Sequence, residues 1–376
     1  MRGSGFGRRG FLGALGISGI AIAIGMSASP VARAIAGARA YVGCFTTGGQ
    51  GRGIMVTTVD PGSGRLTMDS TIETTNPTSL AMSPDGRFLY AVNESDGAGT
   101  ATAIDLTTQP PTVLNTVAVE GNRPIDLCVT PDGRWLLTAN YESGSVTVLA
   151  IAADGSIGDV TDVAQHSGSG PNQRQKGPHA RQVHVDPSGN WILATDLGAD
   201  SVFVYQLADG KLSQQSQATL RPGSGPNQLC FHPDGRSAYL VSELAVAVTV
   251  CDWNADRGEL RPGFTIGTAD PTGLLGNYAA APVVSPDGRY LYVANCGHDN
   301  IAAFAVSGAT LTLLGRTLSG ARRLYGLTIS PDGRRLYAAH RGTNTVTWLD
   351  LDPSTGLPGP ASKALDAPSP TTVLFG

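Results

Sequence analysis

SPDGRFLYAVNE (83–94) decides the fold of this chain, because the phrase returns five more times. It recurs as TPDGRWLLTANY (130–141), DPSGNWILATDL (186–197), HPDGRSAYLVSE (232–243), SPDGRYLYVANC (285–296) and SPDGRRLYAAHR (330–341). The prolines stand at 84, 131, 187, 233, 286 and 331, so the spacings are 47, 56, 46, 53 and 45 residues. Proline presets a turn, Asp-Gly completes the reversal, and an alternating apolar run continues as a strand. A unit of roughly 40–50 residues that repeats in this way is the sequence mark of a β-propeller.

Each phrase leads into a second strand, such as SVTVLAI (145–151) or SVFVYQL (201–207), and follows an inner one, such as NPTSLAMS from Asn76. One further inner strand, SPTTVLFG (369–376), closes the sequence with no PDG turn after it. Its missing continuation is YVGCFTTGGQGRGIMVTTVD (41–60). The reading is an all-β, seven-bladed propeller of four-stranded antiparallel blades, with N- and C-terminal strands sharing one blade and covering both sheet edges. Deleting the last eight residues is expected to open the ring.

Forty-nine glycines, 24 prolines and 15% charged residues suit a turn-rich β domain. Residues 1–34 differ: a twin arginine in GRRGFLGALG (7–16) precedes a short apolar stretch, and ARA (32–34) fits a cleavage site. A spanning anchor needs about 20 apolar residues, which this Gly-rich stretch does not supply. The expectation is a twin-arginine signal peptide over 1–34, a propeller over 35–376, and export to the periplasm or the exterior. Removing the four arginines of that segment leaves 22 basic against 30 acidic residues, a net charge of −8. Such a surface argues against nucleic acid or an anionic membrane as partner. The five cysteines form no CxxC pair and predict no disulfide framework. No cofactor or metal-ligand spacing is present, and a monomer is expected.

Equivalent positions of all blades converge at the channel mouth. One place past the start of each inner strand stand Thr78, Ile125, Arg181, Asn227, Ala280, Tyr325 and Thr371. The next places include Ser79, Asp126, Gln182 and Gln228, and the ends of the second strands include Glu94, Tyr141, Glu243, Cys296 and Arg341. Amide and charged side chains there make a polar funnel. Asn93, Asn140, Asp196 and Asn295 read as turn hydrogen-bonders. GSGPNQ occurs twice, at 168 and 223, the first copy within an insertion over 166–178 that overhangs the mouth; its glycines either cradle an anion or merely bend the loop.

The phrases PSGNWILATDLGADSVFVYQL, GSGPNQLCFHPDGRSAYLVSEL and SPDGRYLYVANCGHDNIAAF resemble those of the seven-bladed propeller lactonases, over Ala40 to the end. That family includes propeller-type 6-phosphogluconolactonases and carboxy-muconate lactonizing enzymes. The resemblance implies a site of one His, two Arg and one Glu. Glu243 stands at the family's Glu and His179 at the first His of its PHAHS phrase, whereas the second is Arg181. Asn227-Gln228 replaces the Arg-His of its GPRH phrase. Cys296 replaces the Arg of its NRGH phrase, with Gly297 and His298 kept.

The expectation is therefore a lactone or hydroxy-acid ligand, with Glu243, His179 and Arg181 as catalytic candidates. Asn227, Gln228, Cys296, His298, Glu94, Tyr325 and Arg341 are the substrate-binding candidates. Arg181 either holds a substrate anion or pairs with Glu243 or Asp126. The alternatives are a binding propeller that has lost catalysis and one turned to another cyclic metabolite.

Overall fold

The computed structural model describes residues 38–48, 50–270 and 276–376; the proposed leader lies outside them. Among the described residues there are seven four-stranded antiparallel sheets and no helix. Six sheets run inner to outer in chain order, for example Pro124–Val129, Trp135–Asn140, Ser145–Ile151 and Ile157–Gln165. The seventh combines the two ends of the chain, in the order Pro370–Phe375, Arg39–Cys44, Gly53–Val59, Leu66–Glu73. Its register sets Ala40 opposite Phe375 and Val42 opposite Val373. Each inner strand abuts the next around the channel, and Pro370–Phe375 abuts Pro77–Met82, so the ring is closed.

The repeated phrase works as its residue types dictate. Ser83 Oγ donates to Asp85 Oδ1 at 2.7 Å, Gly86 N–H donates to Ser83 O, and Phe88 N–H returns to Ser83 Oγ. Thr130, Ser285 and Ser330 repeat the hydroxyl-to-aspartate bond. The turn glycine lies at φ of +68° to +77° in all six copies, a region that penalises a side chain. At the fourth copy His232 substitutes a ring nitrogen for the hydroxyl and accepts from Asp234 N–H, which accounts for that histidine structurally.

The strand after each turn is buried on both faces, as Phe88–Asn93 is throughout, because both faces of a blade pack on neighbouring blades. The core is accordingly divided into inter-blade seams. One seam joins Phe88, Tyr90 and Val92 to Leu127, Leu136 and Leu149 of the next blade. The third residue of that strand is a buried tyrosine in four blades. Tyr90, Tyr292 and Tyr337 donate their hydroxyls to Gly155 O, Gly356 O and Gly64 O of the following blade, at 3.0, 2.9 and 2.7 Å. The asparagines at the other end of the strand serve the backbone and its hydroxyl neighbours: Asn93 Nδ2 donates to Thr75 O, Asn295 Nδ2 to Thr268 O, and Asn140 Nδ2 to Thr147 Oγ1.

Inner strands carry one recurrent irregularity. Their register shifts at the second or third residue, between Pro77 and Ser79, Pro124 and Asp126, Ala180 and Gln182, and Leu324 and Gly326. A bulge breaks the strict alternation of a strand, so two successive residues can address the channel.

Candidate active site at the channel mouth

A cavity of about 650 Å³ opens at this bulged end of the inner strands. The equivalent positions Thr78, Ile125, Arg181, Asn227, Ala280, Tyr325 and Thr371 all line it, and so do Ser79, Asp126, Gln228, Thr372, Glu243, Cys296 and Arg341. The volume is that of a small-molecule site.

Its most ordered feature is a carboxylate held between two guanidinium groups. Glu243 follows the strand Ser237–Ser242, is 5% exposed, and is fixed by its own N–H to Gly225 O at 2.7 Å. Arg181 Nη2 donates to Glu243 Oε2 at 2.7 Å and Arg174 Nη2 to Oε1 at 2.6 Å. Arg181 Nε also donates to Asn227 Oδ1 at 3.0 Å, and Asn227 Nδ2 is spent on Ala279 O, which fixes the amide's orientation. Aromatic rings support both cations: Arg181 lies 5.6 Å from the centroid of Tyr141 and Arg174 5.6 Å from that of Tyr278. Glu243 raises the affinity of the Arg174 guanidinium for its proton further, against the opposing effect of burial.

With each oxygen committed to a cation, Glu243 is built to position arginines and is poorly placed to take a proton from water. Arg174 comes from the insertion and has no counterpart in the repeat, which is why sequence spacing did not reveal it. Gln175 beside it is fully buried and donates to Leu197 O and Asp200 Oδ1. The second GSGPNQ copy does cradle an anion, but one of the protein's own. Gly223 and Gly225 donate their N–H groups to the two carboxylate oxygens of Asp200, both at 2.7 Å. Asp200 thereby ties the Arg174 loop to the loop that carries Asn227.

His179 does not join this group. Its ring stacks on Tyr141 with centroids 4.5 Å apart, and Nδ1–H donates to Tyr141 O at 2.9 Å. It precedes the strand Ala180–Val185, whose register shifts at Arg181, so the two side chains do not share a face. It buttresses the ring beneath Arg181. Glu94 is likewise set back: it accepts from Arg123 Nε at 2.8 Å, and Arg123 in turn lies 5.7 Å from the Tyr141 ring centroid.

Cys296 lines the cavity, but burial pushes its thiol up to about 12 and its Sγ–H points to Leu324 O. It is therefore no thiolate at neutral pH. His298 makes no hydrogen bond with it; the backbone N–H of His298 donates to Asn277 Oδ1. Gln228 and Tyr325 line the wall, and Arg341 lies 3.9 Å from the Phe45 ring centroid and 5.7 Å from that of Tyr325.

Beyond Glu243, one more carboxylate lines the cavity among the described residues. Asp126, half-buried, accepts from Ser79 Oγ at 2.8 Å and from Val183 N–H at 3.2 Å. Burial pushes its carboxyl up to about 7 despite those bonds and the nearby Arg181 charge.

A polar, arginine-walled cavity at the mouth of a closed seven-bladed ring defines a propeller that acts on or binds small molecules. The chain belongs to the seven-bladed β-propeller lactonase family, whose model, "Lactonase, 7-bladed beta-propeller", matches residues 39–375. It is 32% identical to a 6-phosphogluconolactonase of Bacillus subtilis over 271 residues, 71% of this chain and 77% of that one. Among solved structures it is similar to the periplasmic gluconolactonase of Pseudomonas aeruginosa, with TM-score 0.84, 32% identity and coverage of 90% of this chain and 98% of that one. A protein of Lactobacillus plantarum is as alike, with TM-score 0.85, 32% identity and coverage of 90% and 99%.

Proposed function

We propose that this chain is an exported lactonase that opens an unphosphorylated sugar lactone to its hydroxy acid. The observation that carries the reading is the Arg181–Glu243 pair on the cavity wall, with Arg174 bonded to the other oxygen of Glu243. Ring opening places negative charge on the carbonyl oxygen of a tetrahedral intermediate. Fixed cations and N–H donors aimed at that oxygen stabilise it without reorganising. Glu243 holds the Arg181 guanidinium in place, and Arg181 retains N–H donors beyond those it gives to Glu243 and Asn227. Gln228 and Thr372 supply polar lining of the kind a polyhydroxylated ring needs.

The substrate class draws support from the name of the Pseudomonas relative, a gluconolactonase described as periplasmic. Export draws support from the twin arginine at Arg8 and Arg9 and the small residues before Ile35. A phosphorylated lactone is disfavoured on the same ground, since such metabolites belong to the cytoplasm.

The test is hydrolysis of a lactone panel by the chain from Ile35 onward. It is read as acid release above a protein-free blank, because lactones also open spontaneously. Turnover on sugar lactones that falls in Arg181→Gln supports the reading; blank-level rates across the panel from folded protein reject it.

A further inference from the structure

We infer that Asp126 is the general base of this site, taking the proton from the water that attacks the lactone carbonyl while Arg181 holds the oxyanion. The inference rests on the lactonase reading and adds the residue that reading lacks. Glu243 has a guanidinium on each oxygen, whereas the two oxygens of Asp126 accept only the uncharged donors Ser79 Oγ and Val183 N–H and keep a second lone pair each. His179 faces Tyr141 and Cys296 faces a backbone carbonyl. Asp126 is the remaining carboxylate on the cavity wall among the described residues.

Its charge is not demanded by the fold. Asp126 bridges to the next blade by accepting Val183 N–H, and Gln182, at the same place one blade on, accepts Leu229 N–H at 2.7 Å. The bridge thus requires an oxygen acceptor, which a neutral amide supplies equally well. A carboxylate where an amide suffices for the Val183 bridge costs desolvation and returns only the bond from Ser79 Oγ, and such a group in a cleft is a candidate for chemistry.

The groups facing Asp126 are few and identifiable. Ser79 Oγ donates from the preceding blade, Val183 N–H from the following one, and Arg181 supplies the nearby positive charge. Cys128, two residues along the same strand, is held as a neutral thiol by burial and by Asp126 itself. The carboxyl therefore titrates near neutrality, where a base is most effective.

In the step itself, water oxygen bonds to the carbonyl carbon as Asp126 accepts the water proton. The carbonyl π pair moves onto oxygen, opposite Arg181. The pair returns, the ring C–O bond breaks, and the departing alkoxide takes the proton back from Asp126. Lactone and water become one hydroxy acid, and Asp126 ends ionised as it began.

The experiment is the pH dependence of kcat and KM for gluconolactone hydrolysis by wild type, Asp126→Asn and Ser79→Ala. Asp126→Asn keeps the acceptor for Val183 N–H and is expected to fold, checked by its melting temperature. Its kcat should fall roughly 100-fold or more, with KM changed by less than about threefold, because the lost contact is made in the transition state. The acid limb near pH 7 should vanish. Ser79→Ala removes a bond that favours the carboxylate, so its acid limb should move to higher pH, a shift that a merely structural role would not produce. Wild-type activity with an Asp126→Asn enzyme of unchanged kcat and pH profile overturns the role of Asp126 alone. Absence of wild-type activity on every lactone overturns this inference together with the lactonase reading.

Discussion

Arg181 and Glu243 meet at 2.7 Å across the seam between two neighbouring blades, one from an inner strand and the other from the residue after a second strand. Arg181 also donates through Nε to Asn227, so its plane is set by two partners. A lysine retains the charge but offers a single ammonium and cannot reproduce the fork. Arg181→Lys is therefore expected to lower kcat/KM roughly 100- to 1000-fold, the range for losing one oxyanion donor. Steady-state rates across a substrate series, with the melting temperature as control, check this.

Glu243 and Asp126 are separable by their pH signatures. Glu243→Gln leaves Arg174 and Arg181 without their charged partner, so the clamp loosens and kcat/KM should drop by roughly 10- to 100-fold, a loss of about 1.4–2.7 kcal/mol. The acid limb near pH 7 should nevertheless persist, since the group that titrates is still present. A Glu243→Gln enzyme whose acid limb is gone would reassign the base to Glu243.

How far the sequence could be read depends on whether a residue obeys the repeat. Thr78, Ile125, Arg181, Asn227, Ala280, Tyr325 and Thr371 were found by counting from the turn, and all seven line the cavity because the ring places equivalent positions at one mouth. Glu243 was found by the same count. Arg174 was not, because it belongs to an insertion in one blade. Two residues apart, His179 and Arg181 would share a face on a strictly alternating strand; the bulge at the start of the strand breaks that alternation, and the histidine stacks on Tyr141. Asp126 is visible as a position but not as a base, because its selection requires knowing that Glu243 has a guanidinium on each oxygen.

The inter-blade tyrosines give a stability test internal to the fold. Tyr337 donates to Gly64 O at 2.7 Å, and the phenylalanine variant would leave that buried carbonyl without its partner. Tyr337→Phe should cost about 1–2 kcal/mol. Tyr239 occupies the same place in its blade, but its hydroxyl is buried without a hydrogen-bond partner among the described residues. Tyr239→Phe should be neutral or slightly stabilising for the same reason. Denaturant melts of the two variants, compared with wild type, decide between this account and one in which the tyrosines act through ring packing alone.

Asp126 also links stability to pH, with a sign opposite to that of a salt-bridged aspartate. Its carboxyl sits at about 7 in the folded protein against an ordinary 3.8, burial being the main cause. Between those values the folded state holds a proton that the unfolded state has released. Stability from this group is therefore fully present below 3.8 and is lost as pH rises through 7. An amide at this position has no proton to lose. Asp126→Asn should consequently match wild type near pH 4 and become the more stable of the two by about 1–2 kcal/mol above pH 7, a figure well below the full linkage value because cavity solvent reaches the carboxyl. Melting temperatures of both proteins from pH 4 to 8 measure the difference directly. A gap that stays constant with pH would mean that Asp126 is ionised in the folded protein throughout, and that the seam tolerates its charge.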